Sequence, residues 1–494
     1  MGNKRTQSMY EINTRLFLRE YDTKEKKAKI LDVPFQFWEN LSRLGIDNVW
    51  LMGLWQIPKS TINKYCLDIF LIDEYKRSLK DFSIDDVIGS PYSIEDYIIN
   101  PEIGTLYDIK TLKKTLNSLG INLFADFISN HFSSESSLLK SNPEIFLPVS
   151  KNLVANDPYS YFNPTNDNKN YFAHGRDPFF PAWKDTAQIN YFSEKARNFM
   201  IDKLLFLSEI FDGVRVDMAM LTLNNVFQNT WETILKEGGF SAPEKEFWEI
   251  AVQTVKSSNP NFIFMGEVYW DLEWELQRLG FDYTYDKTLT DRLKGNFVIG
   301  IKEHLQATED FQLKSVRFLE NHDEPRAVHY LGVEKSKAAA IIISTILGMS
   351  FYFHGQFEGE KVKLPVQLGR KPHFSINENL KSFYTYLLKI TSDDIFKYGE
   401  WLLLDTFASW STDVTYRNIL AFLRFNNGQF RLIIINYSNE TSSARIKFEP
   451  PEGKREFVLT DLLDNNQYTR NSTEIRSDGL YVKLSPYQSH IFAY

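Results

Sequence analysis

Cysteine is almost missing from this chain of 494 residues: Cys66 stands alone, so an intramolecular disulfide is impossible and a Cys-rich metal site is excluded. Long apolar runs are missing too. No stretch of about 20 apolar residues occurs, and the opening MGNKRTQSMYEINTRLFLRE lacks the apolar core of a signal peptide. Both absences predict a cytoplasmic protein with no membrane partner. Positive charge is not in excess, since 56 Lys and Arg face 64 Asp and Glu for a net charge of -8 and a pI near 5.7. The electrostatic footprint of a nucleic-acid binder is therefore lacking. No internal repeat of fixed period and no low-complexity tract interrupts the chain.

What is present fits a multi-domain globular protein. The hydrophobic fraction of 43% and charged fraction of 24% are ordinary, while the aromatic fraction of 15% is high. A chain of this length holds roughly two to four units, one of which can be a barrel of about 250 residues or more. Strand-like and helix-like segments alternate through most of it. EINTRLFL (11–18) reads as a strand, Phe35 to Leu44 as an amphipathic helix and IDNVWLMGL (46–54) as a buried strand. Tyr107 to Leu119 reads as a helix closed by Gly120, and Glu194 to Phe211 as another. The segment around Lys335 to Leu347 is a further helix, and SFYFHG (350–355) a further strand. Such alternation predicts a parallel sheet.

Two intervals depart from the rhythm. Residues 132–184 are rich in Asn, Pro, Ser and aromatics with little helical period, and a connection of that length is usually functional. Beyond about Gly399 short alternating strands follow, with turn signals such as Asn426-Asn427-Gly428. Between these features lie four apolar runs, each ending in a carboxylate or histidine: FADFISNH (124–131), GVRVDMAM (213–220), FIFMGEVYW (262–270) and VRFLENHD (316–323). A buried parallel strand reads as a continuous apolar run, and barrel enzymes collect catalytic groups at the C-terminal ends of such strands.

The four runs resemble, in order, the conserved regions of the α-amylase family of retaining glycoside hydrolases. Asp126 with Asn130 and His131 looks like its first region, Gly213 to Asp217 its second, Gly266-Glu267 its third and Asn321-His322-Asp323 its fourth. The resemblance implies a (β/α)8 TIM barrel from residues 1–131 and 185–398, an inserted domain after the third strand (132–184) and a C-terminal all-β sandwich domain (399–494). It also implies the catalytic roles. Asp217 would be the nucleophile, with Arg215 holding it ionised, and Glu267 the general acid and base; such a pair needs carboxyls about 5 to 5.5 Å apart. The acid needs a raised pKa, for which Phe262, Ile263, Phe264, Met265 and Trp270 offer an apolar setting. Asp323, rather than its neighbour Glu320, would be the third carboxylate, binding sugar hydroxyls. His131 and His322 would donate to the same sugar and Tyr92 would lie beneath it. Asp126 would support Arg215, and Trp270 and Arg326 would form pocket walls.

Some positions depart from the family pattern. Met218, Ala219, Met220 and Leu221 follow the nucleophile where many relatives have a Lys-His pair facing the acceptor side. Gln188 stands where many carry an aspartate that shares a structural calcium with Asn130. Calcium favours several hard, preferably anionic oxygens, so no metal and no cofactor is expected. The segments at 48–58, 271–287 and 354–372 look more similar to a poorly defined branch of the family than to its secreted starch-degrading amylases. Lys361, Lys363, Arg370 and Lys371 fall near the end of the eighth strand, where barrels often bind phosphate; this permits a phosphorylated sugar or inorganic phosphate as partner, while a solvated loop of mixed charge is the reading favoured over it. The expectation is a carbohydrate-active enzyme that hydrolyses α-1,4-linked glucan or maltooligosaccharides through a glycosyl-Asp217 intermediate. The alternatives are a glycosyltransferase, isomerase or phosphorylase of the same family, and a catalytically silent glucan-binding protein.

Overall fold

The computed structural model describes residues 6–164 and 170–494; residues 165–169 of the expected inserted segment lie outside the described residues. Eight parallel strands close into a barrel: Ser8–Asn13 (β1), Asn48–Met52 (β2), Asn122–Ile128 (β3), Gly213–Asp217 (β4), Ile263–Gly266 (β5), Tyr283–Tyr285 (β6), Ser315–Arg317 (β7) and Met349–Phe353 (β8). Alternation along the strands decides the two packing layers. Met9, Trp50, Met52, Phe124, Met265, Tyr285, Val316 and Phe351 fill the interior, while Tyr10, Val49, Leu51, Leu123, Ala125, Val214 and Phe264 turn outward onto the helices. The helix Leu106–Ser118 illustrates the repeat. Thr105 and Asp108 form a capping box at its start, Ile109, Leu112 and Leu116 face the barrel, and Gly120 at φ +77° reverses the chain into β3.

One reading is corrected and three elements went unread. The strand expected through Leu18 stops at Asn13, whose side chain accepts from the Leu16 N–H at 3.4 Å and caps the short helix Thr14–Phe17. The sixth strand, YTY, is only three residues long and carries no apolar run to announce it. The helices Asn224–Gly238 and Phe247–Ser258 between β4 and β5 also went unread.

Between β3 and β4 the chain makes an excursion. His131–Ser133 pairs antiparallel with Thr186–Gln188, Tyr161–Phe162 with Phe172–Ala173, and short helices span Leu138–Ser141 and Lys151–Asn156. Phe132, Phe146 and Phe172 bury its base in the barrel core. The C-terminal strands form two antiparallel sheets of six and three strands. Leu432, Ile434, Ala444, Leu459, Val482 and Phe492 pack between the sheets. The opposite face of the larger sheet, with Leu420, Phe422, Ile433 and Ile435, joins the barrel's outer core. Asn427 and Gly428, at φ +48° and +75°, make its tight hairpin turn. No helix among the described residues is long and apolar enough to cross a membrane.

Candidate active site

Strand register gathers the acidic groups. Asp126 lies level with Arg215 and Ile128 with Asp217 across β3 and β4, and Val216 pairs with Gly266 across β4 and β5. Asp217 and Glu267 therefore emerge side by side at the C-terminal mouth. Arg215, fully buried, spans them: its Nη1 donates to Asp217 Oδ1 at 2.7 Å and its Nη2 forms a 2.7 Å ion pair with Glu267 Oε2. Asp126 Oδ1 stands 3.8 Å from Nη1, and its Oδ2 accepts the Gly53 N–H. The rings of Trp50, Tyr92 and Tyr285 surround the guanidinium at 5.0, 5.6 and 5.7 Å.

Glu267 has more polar company than its flanking residues suggested. Phe262 and Phe264 point outward to the helices and Met265 into the barrel. What touches the carboxylate is Arg215, the Met218 N–H at 2.8 Å on Oε2, and the Tyr269 hydroxyl at 2.8 Å on Oε1. Met218 presents its N–H from a left-handed backbone at φ +43°, a conformation non-glycine residues occupy at a cost of order 1–3 kcal/mol and retain chiefly at functional sites.

A second group forms on β1 and the loop after β7. His322 Nε2 stands 3.0 Å from Asp323 Oδ2 and 2.6 Å from the Tyr92 hydroxyl, while its Nδ1 meets Glu11 Oε1 at 2.5 Å. Tyr92 and His322 also stack at 5.5 Å. Asp323 is half-exposed at the mouth. His131, buried and edge-on to Trp183 at 5.4 Å, joins this group through the Tyr92 carbonyl.

Electrostatics separates the acids. Burial pushes both Glu267 and Asp217 above the ordinary carboxylate range, and Arg215 pulls both back. Burial raises Asp126 to about 7. Desolvation also acts on Asp323, but the adjacent His322 imidazolium outweighs it and holds that carboxyl well below its usual range. Burial works against the charge on His322 too, yet Asp323 and Glu11 together raise it well above 6.5. Burial alone takes His131 down to about 4, keeping it neutral.

Two expected positions lie apart from this cluster. Arg326 is buried in a separate network, donating to Glu320 Oε1 at 2.7 Å, Glu360 Oε2 at 2.6 Å and the His354 carbonyl. Glu320 is thereby turned away from the mouth. Trp270 is 37% exposed, at φ +66°, and rests edge-on against Phe179 of the excursion at 5.0 Å. Glu11, Trp50, Tyr269 and Tyr285 went unrecognised in the sequence. A carboxylate inside the apolar first strand was the one available signal for Glu11; the aromatics looked like core.

The calcium position is filled by protein. Gln188 Nε2 donates toward Asn130 O at 3.0 Å, Asn130 Oδ1 at 2.9 Å and Ile189 O at 3.0 Å. Three oxygens that could face a cation instead face an amide nitrogen, so the residues present do not fit a calcium ion. Among the described residues no cluster of three or more His, Cys, Asp or Glu is arranged to hold a metal.

A closed parallel barrel gathers three carboxylates, one arginine and one histidine at its C-terminal mouth, the place where barrels of this kind carry their active sites. The family model for the α-amylase catalytic domain matches residues 38–364, and the chain belongs to the α-amylase family. Among curated relatives, alpha-amylase 2 of Dictyoglomus thermophilum is 24% identical over 433 residues, covering 81% of this chain and 64% of that protein. Alpha-amylase 3 of the same organism is 23% identical over 59% of this chain and 58% of its own length. The chain thus spans about three fifths of these relatives. A maltogenic α-amylase from Thermotoga neapolitana superposes with a TM-score of 0.70 at 20% identity, covering 100% of this chain and 99% of the other. An α-amylase from Geobacillus thermoleovorans, complexed with acarbose, gives 0.68 at 15% identity, with 99% of both chains covered.

Proposed function

We propose that this protein is a retaining α-glycoside hydrolase acting on α-1,4-linked glucan or maltooligosaccharides. The observation that carries the reading is the single guanidinium of Arg215 spanning Asp217 and Glu267, at 2.7 Å from each. A pair bridged by one guanidinium is compatible with the roughly 5–5.5 Å carboxyl separation that a retaining enzyme requires. The maltogenic and acarbose-bound relatives support an α-glucan as substrate.

In this mechanism the shared proton resides on Glu267. Burial raises both carboxyls and Arg215 lowers both; beyond that, Asp217 accepts the Arg215 hydrogen bond and faces the His322 imidazolium, whereas Glu267 is raised further by Asp217 and Asp323. Asp217 attacks the anomeric carbon as Glu267 protonates the departing glycosidic oxygen. The bond from carbon to that oxygen breaks and an ester to Asp217 forms. Glu267, now ionised, takes a proton from water, which displaces Asp217 and returns the starting state. Asp323 and protonated His322 bind the sugar hydroxyls, and Tyr92 supports the ring. Water is favoured over a sugar acceptor because the residues after Asp217 offer no side-chain donors: Ala219, Met220 and Leu221 are buried. The reaction needs no cofactor, and the Gln188 amide stands in place of calcium.

The test is product analysis after incubation with maltopentaose, beside Glu267→Gln and Asp217→Asn. Shorter products from the wild type, reduced by roughly 10³-fold or more in both variants with folding intact, are expected. Longer products would identify transfer instead, and intact maltopentaose with the wild type would overturn the substrate assignment.

A further inference from the structure

A cavity of about 830 Å³ opens between the end of the helix Ile69–Ser78 and the long connection after β8. Five cations line it, Arg77, Lys80, Lys361, Arg370 and Lys371, against two carboxylates, Asp81 and Glu360, in a protein whose net charge is -8. Both carboxylates are already engaged. Asp81 binds Arg370, which also grips Asp86 with Nε at 2.7 Å and Nη2 at 2.8 Å. Glu360 binds Arg326 at 2.6 Å and Lys371 at 2.9 Å, and Lys371 also meets Glu20 at 2.6 Å. Among the described residues, Arg77, Lys80 and Lys361 have no ion-pair partner.

The structure therefore redistributes the lysines and arginine that the sequence grouped after the eighth strand. Arg370 and Lys371 fix the wall, Lys363 is drawn to the Asp323 backbone carbonyl, and Lys361 is left facing the cavity. Arg77 and Lys80, distant in sequence, supply the remaining charge. All three are solvent-exposed, so an anion entering the cavity would exchange with water as their counterion. A guanidinium fork with two lysine point charges matches a phosphate dianion. The volume exceeds what a bare phosphate occupies and falls in the usual range for small-molecule sites. Val362, Leu364 and Phe374 supply apolar lining for the remainder of a ligand.

We propose that this cavity binds a phosphorylated sugar through its phosphate group, at a site separate from the carboxylate cluster. The two sites share a wall: Ser78 Oγ donates to the Lys363 carbonyl at 3.3 Å, and Lys363 reaches the Asp323 loop. Occupancy is thereby linked to the acid mouth through one short segment. The proposal goes beyond the hydrolytic reading and does not depend on it, since its readout is binding.

The experiment is isothermal titration calorimetry of the full chain at low ionic strength with glucose 6-phosphate, inorganic phosphate and glucose in separate arms. Glucose 6-phosphate should bind saturably with Kd below about 1 mM, inorganic phosphate more weakly, and glucose without competing for the phosphate site. The triple variant Arg77→Gln, Lys80→Gln, Lys361→Gln should weaken glucose 6-phosphate by about tenfold or more while its melting temperature stays near that of the wild type. Lys361→Gln alone, on an exposed loop, provides the same comparison if the triple variant folds poorly. Absence of saturable heat from both phosphate ligands would overturn the proposal. So would binding unchanged in the variants, or lost instead in Asp323→Asn, which would locate the ligand at the acid mouth. Equal affinity for inorganic phosphate would overturn the sugar component and leave a phosphate site.

Discussion

Replacing Gln188 by Glu tests whether an amide has taken over the work of a metal ion. The change conserves shape but substitutes an oxygen for the nitrogen that now faces Asn130 O, Asn130 Oδ1 and Ile189 O at 2.9–3.0 Å. Three acceptors would then confront a fourth oxygen at a fully buried position. Losing these contacts at about 1 kcal/mol each, with the desolvation of a carboxyl group added, costs about 3–5 kcal/mol. With unfolding entropy near 2.1 cal/mol/K per residue, a barrel of about 345 residues should melt roughly 4–7 °C lower.

Calcium should restore much of this loss in the variant alone, because the new carboxylate completes a set of hard oxygens. At a free calcium concentration one hundred times Kd, binding contributes about 2.7 kcal/mol, or roughly 4 °C. The assay is differential scanning calorimetry of both proteins in chelator and in calcium. The wild type should melt at the same temperature in either buffer. A chelator-induced fall of several degrees in the wild type would refute the reasoning, and so would a Gln188→Glu protein as stable in chelator as its parent.

Two further outcomes follow from the acid cluster and a third from Trp270 outside it. The Tyr269 hydroxyl stabilises ionised Glu267 at 2.8 Å, so Tyr269→Phe should raise the Glu267 pKa and move the alkaline limb of kcat upward by about 0.5–1 pH unit; a downward move in the pH–rate profile would contradict this. Because Asp323 and Glu11 raise the folded pKa of His322, its stabilising contribution is complete below the unfolded value of about 6.5 and is lost as pH rises through the folded value. Glu11→Gln should lower that folded pKa and narrow the window, as followed by imidazole resonances and chemical denaturation; an unchanged titration would show that Glu11 does not hold the proton. Trp270→Ala should raise KM for maltopentaose about 5- to 10-fold with kcat nearly constant, since an exposed ring supplies uniform binding, whereas a fall in kcat alone would assign the ring to the reacting centre.

The sequence disclosed those parts of the site where one short stretch of chain holds both the packing signal and the chemistry. GVRVD alternates faces so that Arg215 and Asp217 point the same way, and the apolar run before it could only be a buried strand. Glu267 and Asp323 were legible on the same terms. Their surroundings were not, because the neighbours of a barrel-mouth side chain come from other strands. The apolar residues flanking Glu267 in sequence leave for the core, and its real partners arrive from β4 and from Tyr269. Glu11 serves His322 from a strand 311 positions away, and no local pattern can report such a pair.

The same reasoning explains why the basic cavity was half visible. Four cations crowded after β8 suggested an anion site, yet charge counted along the chain cannot distinguish a cation from one already neutralised. Asp81 and Asp86 take Arg370, and Glu20 and Glu360 take Lys371, whereas Arg77 and Lys80 enter from the end of a helix nearly three hundred residues earlier. What distinguishes a ligand site from a structural ion-pair network is the charge remaining after internal pairing. At the mouth, pairing leaves Asp217 a single hydrogen bond from Arg215 and Asp323 half-exposed beside its histidine. In the neighbouring cavity it leaves three cations. Lys363 joins the two regions, its carbonyl accepting from Ser78 beside the basic cavity and its ammonium donating to the Asp323 carbonyl at the acid mouth, so the proposed phosphate ligand would be felt at Asp323 through this one residue.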